Sequence, residues 1–137
     1  MIIVLDASAA TEIVEKTYAG ADFYAAMMRA DKVMAPDLYV AEIANIAWKL
    51  SRKDMDNADV FRTKASLCIN YIHEFVESKD LWKDALRLSQ EHDHPAYDMF
   101  YAALAKRNDA VLVTMDAKLR SVCANIPVRV KEIARAS

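Results

Sequence analysis

Two unbroken apolar runs, each closed by an acid, frame the chain: Met1-Ile2-Ile3-Val4-Leu5 before Asp6, and Ala110-Val111-Leu112-Val113 before Thr114 and Asp116. A short continuous run rich in β-branched residues predicts a strand buried on both faces, as in a parallel sheet. Ligands of open α/β sheets bind beyond the carboxyl ends of the strands. Both runs therefore point their acids at the same edge.

Between them the pattern alternates. Helices are expected over residues 7–16 and 20–29, followed by a short strand at 32–35 that Pro36 ends. A long helix over 37–53 comes next; at about 100° per residue, Tyr39, Ile43, Ile46 and Leu50 form its core stripe. Glu42, Asn45 and Lys49 run along one edge of that stripe, and a second apolar line, Val40, Ala44 and Trp48, occupies the other side. A helix apolar on two sides is usually covered twice. The second cover is expected to be either the next helix or another subunit.

Further helices are predicted over 56–69, with Val60, Ala65, Leu67 and Cys68 inward, and over 81–91, with Leu81, Trp82, Ala85 and Leu88 inward. Residues 71–76 alternate as a half-buried strand and put His73 on its polar face. His92-Asp93-His94-Pro95 reads as a turn with solvated imidazoles, since two histidines in a turn make a poor metal site without a third ligand. The helix over 96–105 has one charged residue, Asp98; Tyr97, Phe100, Tyr101 and Leu104 give it a bulky face, and Ala102 and Ala105 share a side with Asp98. Ala117–Cys123 should be a last helix and 126–130 an edge strand. Strands separated by helices in this order specify an α/β fold with a mostly parallel sheet and right-handed crossovers.

Composition narrows the picture. At 137 residues, with one glycine, three prolines, no repeat and no low-complexity tract, the chain reads as a single domain, 1–137. Cys68 and Cys123 lie in apolar helical context with no zinc spacing, and are expected to be buried thiols in a reducing compartment. No segment is long enough for a membrane span and no signal peptide opens the chain, so a cytoplasmic protein is expected. The net charge of −2 does not advertise a nucleic-acid binder, although a local basic rim could still serve one. Candidates are Lys49, Arg52 and Lys53 near Glu42, and Lys118 and Arg120 near Asp116. Each reads equally well as a solvated helix face.

The candidate chemistry lies in four acids. Asp6 and Asp116 each stand where an N-cap is expected, Asp98 where a first-turn acid suits the helix dipole, and Glu42 at the rim of a core stripe. Their convergence is harder to explain away. Two carboxylates about 4 Å apart repel by about 4 kcal/mol at an effective dielectric of 20, so such a cluster must take up protons or hold cations. No basic residue lies within a turn of Asp98 on its helix, which favours a metal ion. An all-oxygen donor set suits Mg²⁺ or Mn²⁺ over zinc, and the work of such an ion is to activate water and stabilise in-line displacement at phosphorus.

The residues Val-Leu-Asp6-Ala-Ser8, Pro36 followed by Glu42 and Asn45, Ala-Tyr97-Asp98 with Ala102, and Thr114-Met-Asp116-Ala-Lys-Leu119 resemble the PIN-domain family, and within it the VapC-type toxin ribonucleases of toxin–antitoxin pairs. The likeness spans essentially the whole chain. It implies a PIN-like three-layer sandwich with a central sheet flanked by helices. It implies also a metal-dependent endoribonuclease, often a homodimer, that cleaves RNA with Mg²⁺ or Mn²⁺ and is blocked by a cognate antitoxin. Asp6, Glu42, Asp98 and Asp116 would be the catalytic, metal-binding acids, with Thr114, Asn45 and Ser8 as supporting polar residues. One departure stands out: His94-Pro95 replaces the polar cap expected before Ala-Tyr-Asp. A non-catalytic PIN-like module that binds RNA or protein is the alternative. A haloacid-dehalogenase-like phosphatase would also open on a strand and Asp6, but it needs a second aspartate where Ser8 stands.

Overall fold

The computed structural model describes residues 1–137, with five strands and seven α-helices in the order β1 (Ile2–Leu5), α1 (Ala7–Val14), α2 (Tyr18–Arg29), β2 (Lys32–Pro36), α3 (Leu38–Ser51), α4 (Ala58–Asn70), β3 (Glu74–Val76), α5 (Trp82–His92), α6 (Ala96–Arg107), β4 (Val111–Val113), α7 (Ala117–Cys123) and β5 (Arg129–Val130). The strands form one sheet in the order β3-β2-β1-β4-β5, and every pairing is parallel. The apolar runs at Ile2 and Val111 occupy the centre, with Ile3 opposite Val111 and Leu5 opposite Val113. Strands buried on both faces have to be apolar throughout, and Ile3, Val4, Leu5, Leu112 and Val113 are all fully buried.

The strand order fixes where the helices go. From β1 the chain steps to β2 and β3 on one side; it then returns to β4 and β5 on the other. Right-handed crossovers in opposite directions place helices on opposite faces. α1 packs on α2, α3 and α4, while α6 packs on α5 and covers β1, β2 and β4. The result is helices, a parallel sheet and helices. The direction of travel reverses between β1 and β4, so the crevice beyond their carboxyl ends is the topological switch point.

The helices α1 and α2 pack closely at Gly20. Gly20 is buried in α2, and a Cβ there would stand 2.0 Å from the carbonyl oxygen of Glu12. The chain's one glycine thus sits where two helix backbones nearly touch.

Several expected faces are covered differently. Tyr39 and Ile43 are buried on α3, but Ile46 is only partly covered and Leu50 is exposed. Val60 and Leu67 on α4, Trp82 at the start of α5 and Tyr97 on α6 all face outward, Tyr97 at 74 % exposure. Helical periodicity finds two apolar sides in these segments and cannot say which one the sheet covers. β3 keeps three residues of the expected strand, because His73 leaves the alternation to cap the neighbouring strand. Its Nδ1 accepts from the Val33 N–H at 2.9 Å while its own N–H donates to the Val33 carbonyl. The second apolar line of α3, Val40, Ala44 and Trp48, is not covered by α4; Trp48 is 54 % exposed. It adjoins a groove of about 530 Å³ between α3 and α4. No helix is long and apolar enough to cross a membrane.

Candidate active site

Asp6 follows β1 directly and begins α1, so it serves two purposes. Its Oδ1 accepts the Ala9 N–H at 2.9 Å, which caps the helix, and the same oxygen accepts the Ser8 hydroxyl at 2.7 Å. Its Oδ2 accepts the hydroxyl of Thr114 from the end of β4. At 5 % exposure, with no ammonium or guanidinium bonded to it, this carboxyl is pushed up from 3.8 to about 6. Burial is the largest cause; the bonds from Thr114, Ser8 and Ala9 work against it, and the Asp116 charge adds to it.

Ser8 and Thr114 hold the two strand ends together. Ser8 Oγ accepts the Met115 N–H at 2.9 Å, and Thr114 Oγ1 accepts the Asp116 N–H at 3.0 Å. Each hydroxyl donates to Asp6 and accepts from the loop that carries Asp116. Ser8 Oγ is fully engaged in this bracket. Asp116 in turn caps α7, its Oδ1 accepting the Lys118 and Leu119 N–H groups at 2.8 and 3.1 Å. The simple N-cap readings of Asp6 and Asp116 are thus both realised, and both caps lie at the switch point.

Glu42 and Asp98 come from helices on opposite faces of the sheet. α3 starts where β2 ends, and α6 ends beside the start of β4, so the first turns of both lie at the carboxyl edge. Glu42 is half-buried and raised above the usual carboxylate range, first by burial and then, against a hydrogen bond that lowers it, by the charges of Asp6, Asp98 and Asp116. The lowering bond comes from Tyr101 on α6, whose phenol donates to Glu42 Oε1 at 2.5 Å. Asp98 Oδ2 lies 2.7 Å from His94 Nε2.

That last contact corrects two expectations. His94 is not a solvated loop imidazole: its side chain is 12 % exposed. Asp98 also does not lack a nitrogen partner, because the turn at Asp93 (φ 50°) folds His94 back beside the first turn of α6. Tyr101 is the other site residue that sequence reasoning missed, since a tyrosine on a bulky face reads as core. The available signals were spacings: His94 is four residues before Asp98 and Tyr101 three after, and both offsets share a helix face.

The remaining candidates separate. Asn45 is exposed and makes no side-chain hydrogen bond to an acid. Arg52 and Lys53 lie ten or more residues beyond Glu42, which on a helix is about 15 Å toward the opposite edge of the sheet; they are not neighbours of Glu42. Arg52 stacks on Trp48 instead, 4.9 Å from the ring centroid. Arg120 is a structural tie, its Nη1 donating to the Thr114 and Lys131 carbonyls at 3.0 and 2.9 Å. Lys49 and Lys118 are exposed.

The donor set suits a hard divalent cation, being four carboxylates of which the most buried has no cation beside it. The side chains as they stand do not form a cage: no three His, Cys, Asp or Glu groups are gathered closely enough to hold an ion. Each acid is turned to its own donor: Asp6 to Thr114 and Ser8, Glu42 to Tyr101, Asp98 to His94 and Asp116 to α7. Their charges nevertheless act on one another, as the shifts of Asp6 and Glu42 record.

The PIN domain family model matches residues 3–125, which span this parallel sheet and its helices up to the end of α7. The chain belongs to that family. Among its relatives is Ribonuclease VapC3 of Pyrobaculum aerophilum, 29 % identical over 125 residues that cover 87 % of this chain and 92 % of the relative. Among solved structures, PAE2754 from Pyrobaculum aerophilum superposes with a TM-score of 0.72 at 20 % identity, over 89 % of this chain and 84 % of that one. VapBC2 from Rickettsia felis, bound to a DNA fragment from its promoter, gives 0.68 at 13 % identity, over 98 % of this chain and all of its counterpart. Both structures share the fold.

Proposed function

We propose that this chain is a single-domain, metal-dependent endoribonuclease that hydrolyses RNA phosphodiester bonds as the toxin of a type II toxin–antitoxin pair. The observation that supports this best is the placement of Asp6, Glu42, Asp98 and Asp116 at one sheet edge, where burial first and neighbouring negative charge second raise Asp6 and Glu42. Mg²⁺ or Mn²⁺ held by these four would supply an activated water and charge neutralisation at the phosphate.

The chain's own groups have separate tasks. Ser8 and Thr114 keep Asp6 oriented and fix the Asp116 loop against it. Tyr101 orients Glu42, and His94 orients Asp98. Lys118, exposed two residues after Asp116, is the cation best placed to meet RNA phosphates at this edge, whereas Lys49 lies in the last turn of α3, about 10 Å beyond Glu42. The kinship with Ribonuclease VapC3 supports the choice of RNA, and the likeness to a toxin-antitoxin complex from Klebsiella pneumoniae supports an antitoxin partner; a cytoplasmic location goes with that reading. The uncovered Val40, Ala44 and Trp48 line supports a homodimer through α3.

The rival is a PIN-like module that binds RNA or protein without cutting, and the open spacing of the acids favours it. Incubating a mixed RNA pool with wild type and Asp98→Asn, in Mg²⁺, Mn²⁺ or EDTA, separates the two. Cleavage by wild type alone, abolished by EDTA, is expected. Equal cleavage by both proteins would remove Asp98 from the mechanism, and no cleavage by either, with bound inhibitor verifiably removed, would leave the binding module.

A further inference from the structure

Beside the acids lies an open cleft of about 520 Å³ between the start of α6 and α7, lined by His92, His94, Pro95, Lys118, Ser121 and Asn125 among others. Its volume is that of a small-molecule site. No carboxylate lines it, although the acids lie immediately next door. Lys118 and His92 line the cleft and enter none of the chain's ion pairs, which leaves the Lys118 ammonium and the His92 ring nitrogens open to a ligand. Lys118 and Ser121, three residues apart on α7, share one helix face, and Asn125 follows in the turn after the helix.

Two contacts join this cleft to the acids. His94 lines it while bonding Asp98 at 2.7 Å, and the backbone N–H of Lys118 holds Asp116 Oδ1 at 2.8 Å. Whatever fills the cleft rests against residues that position two of the four acids.

We propose that the cleft seats one nucleotide of the RNA strand, next to the phosphate to be cut, and that its lining selects the base. The inference rests on the nuclease reading above for its substrate, but the seat is built from residues outside the acid set. Lys118 would meet a phosphate oxygen. Asn125 offers both a donor and an acceptor, and with Ser121 and His92 it can read the edge of an unstacked base. Pro95 and Val122 give the apolar surface against which the base lies. His94 is a positioning residue: it lines the cleft and already holds Asp98, so the seated nucleotide rests on the group that orients an acid.

The test uses the full-length protein and the four 5′-mononucleotides as probes, followed by NMR. Saturable shifts of the His92, His94 and Asn125 side-chain signals are expected, with at least about fivefold preference for one base over another, as a good edge contact gives. Ser121→Trp should fill the cleft and abolish those shifts while leaving circular dichroism and Mn²⁺ binding unchanged; Asn125→Ala should flatten the preference without filling the space. In the pool assay, sequencing of the cut ends should show one flanking position losing its base bias in both variants. Absence of cleft shifts with every nucleotide, or an unchanged bias and KM in both variants, would overturn the proposal. If nucleotides bind the cleft and no RNA is cut, the nuclease reading fails and the seat stands. If RNA is cut and neither variant matters, the reverse holds.

Discussion

The phenol of Tyr101 donates to the carboxylate of Glu42 across the carboxyl edge of the sheet, joining α6 to α3 over 59 residues of chain. Tyr101 is itself buried, and that burial, with the adjacent Glu42 charge second, raises its phenol well above the usual range, so the bond is held with the proton on tyrosine. Tyr101→Phe keeps the ring and removes the donor. Stability should fall by about 1–2 kcal/mol in urea melts. Mn²⁺ affinity, read by calorimetry, should weaken about 10-fold, as removal of an outer-shell partner does. An unchanged affinity would mean that Glu42 needs no such partner.

Asp6 predicts a stability profile of definite sign. Burial raises its carboxyl to about 6 from 3.8, so the folded protein binds this proton more tightly than the unfolded chain does. Its contribution to stability is therefore complete below about 4 and is lost as the pH rises through about 6. Asp6→Asn removes the penalty and should be more stable than wild type at neutral pH by about 2–3 kcal/mol, with the gap closing near pH 4. The variant should cut no RNA. Mn²⁺ should raise the melting temperature of wild type and leave that of Asp6→Asn nearly unmoved.

Gly20 tests the packing of the first two helices. With the Glu12 carbonyl oxygen 2.0 Å from where a Cβ would be, Gly20→Ala must push α2 away from α1. The better helix propensity of alanine contributes about 1 kcal/mol in its favour, and overpacking costs about 1–3 kcal/mol or more. Backbone on both sides leaves little to yield, so net destabilisation is expected in denaturant titrations. An alanine variant as stable as wild type would show that the helices can part freely.

Cys68 and Cys123 should be inert. Burial is the first cause that pushes both thiols up to about 11, and at neutral pH almost none of either is thiolate. Neither should react with a thiol reagent until the protein is unfolded. Rapid labelling of the native protein would show that α4 or α7 opens readily.

The exposed indole of Trp48 predicts association. Wild type should sediment as a dimer at micromolar concentration, and Trp48→Lys as a monomer with unchanged circular dichroism. A monomeric wild type would leave the apolar side of α3 to another partner.

What the residues determined alone was local. Two continuous apolar runs ending in Asp6 and Asp116 could only be central strands, and a parallel order then sent both acids to one edge, because strand direction and helix crossover leave no other. The same periodicity located every helix within a few residues, since it records burial on one side. It could not say which apolar side of α3, α4 or α5 would be covered. Val60, Leu67 and Trp82 therefore read as core and stand outside.

The tertiary structure alone decided who touches whom across long stretches of chain. Tyr101 reached Glu42 from the far face of the sheet, a left-handed turn at Asp93 laid His94 against Asp98, and Arg120 was spent on two backbone carbonyls. Such contacts depend on distances between elements, which no pattern of neighbours along a chain encodes. Burial of Asp6 is of the same kind: the sequence shows an acid after a strand, and only the packing of β4 and its hydroxyl around it sets how reluctantly it ionises.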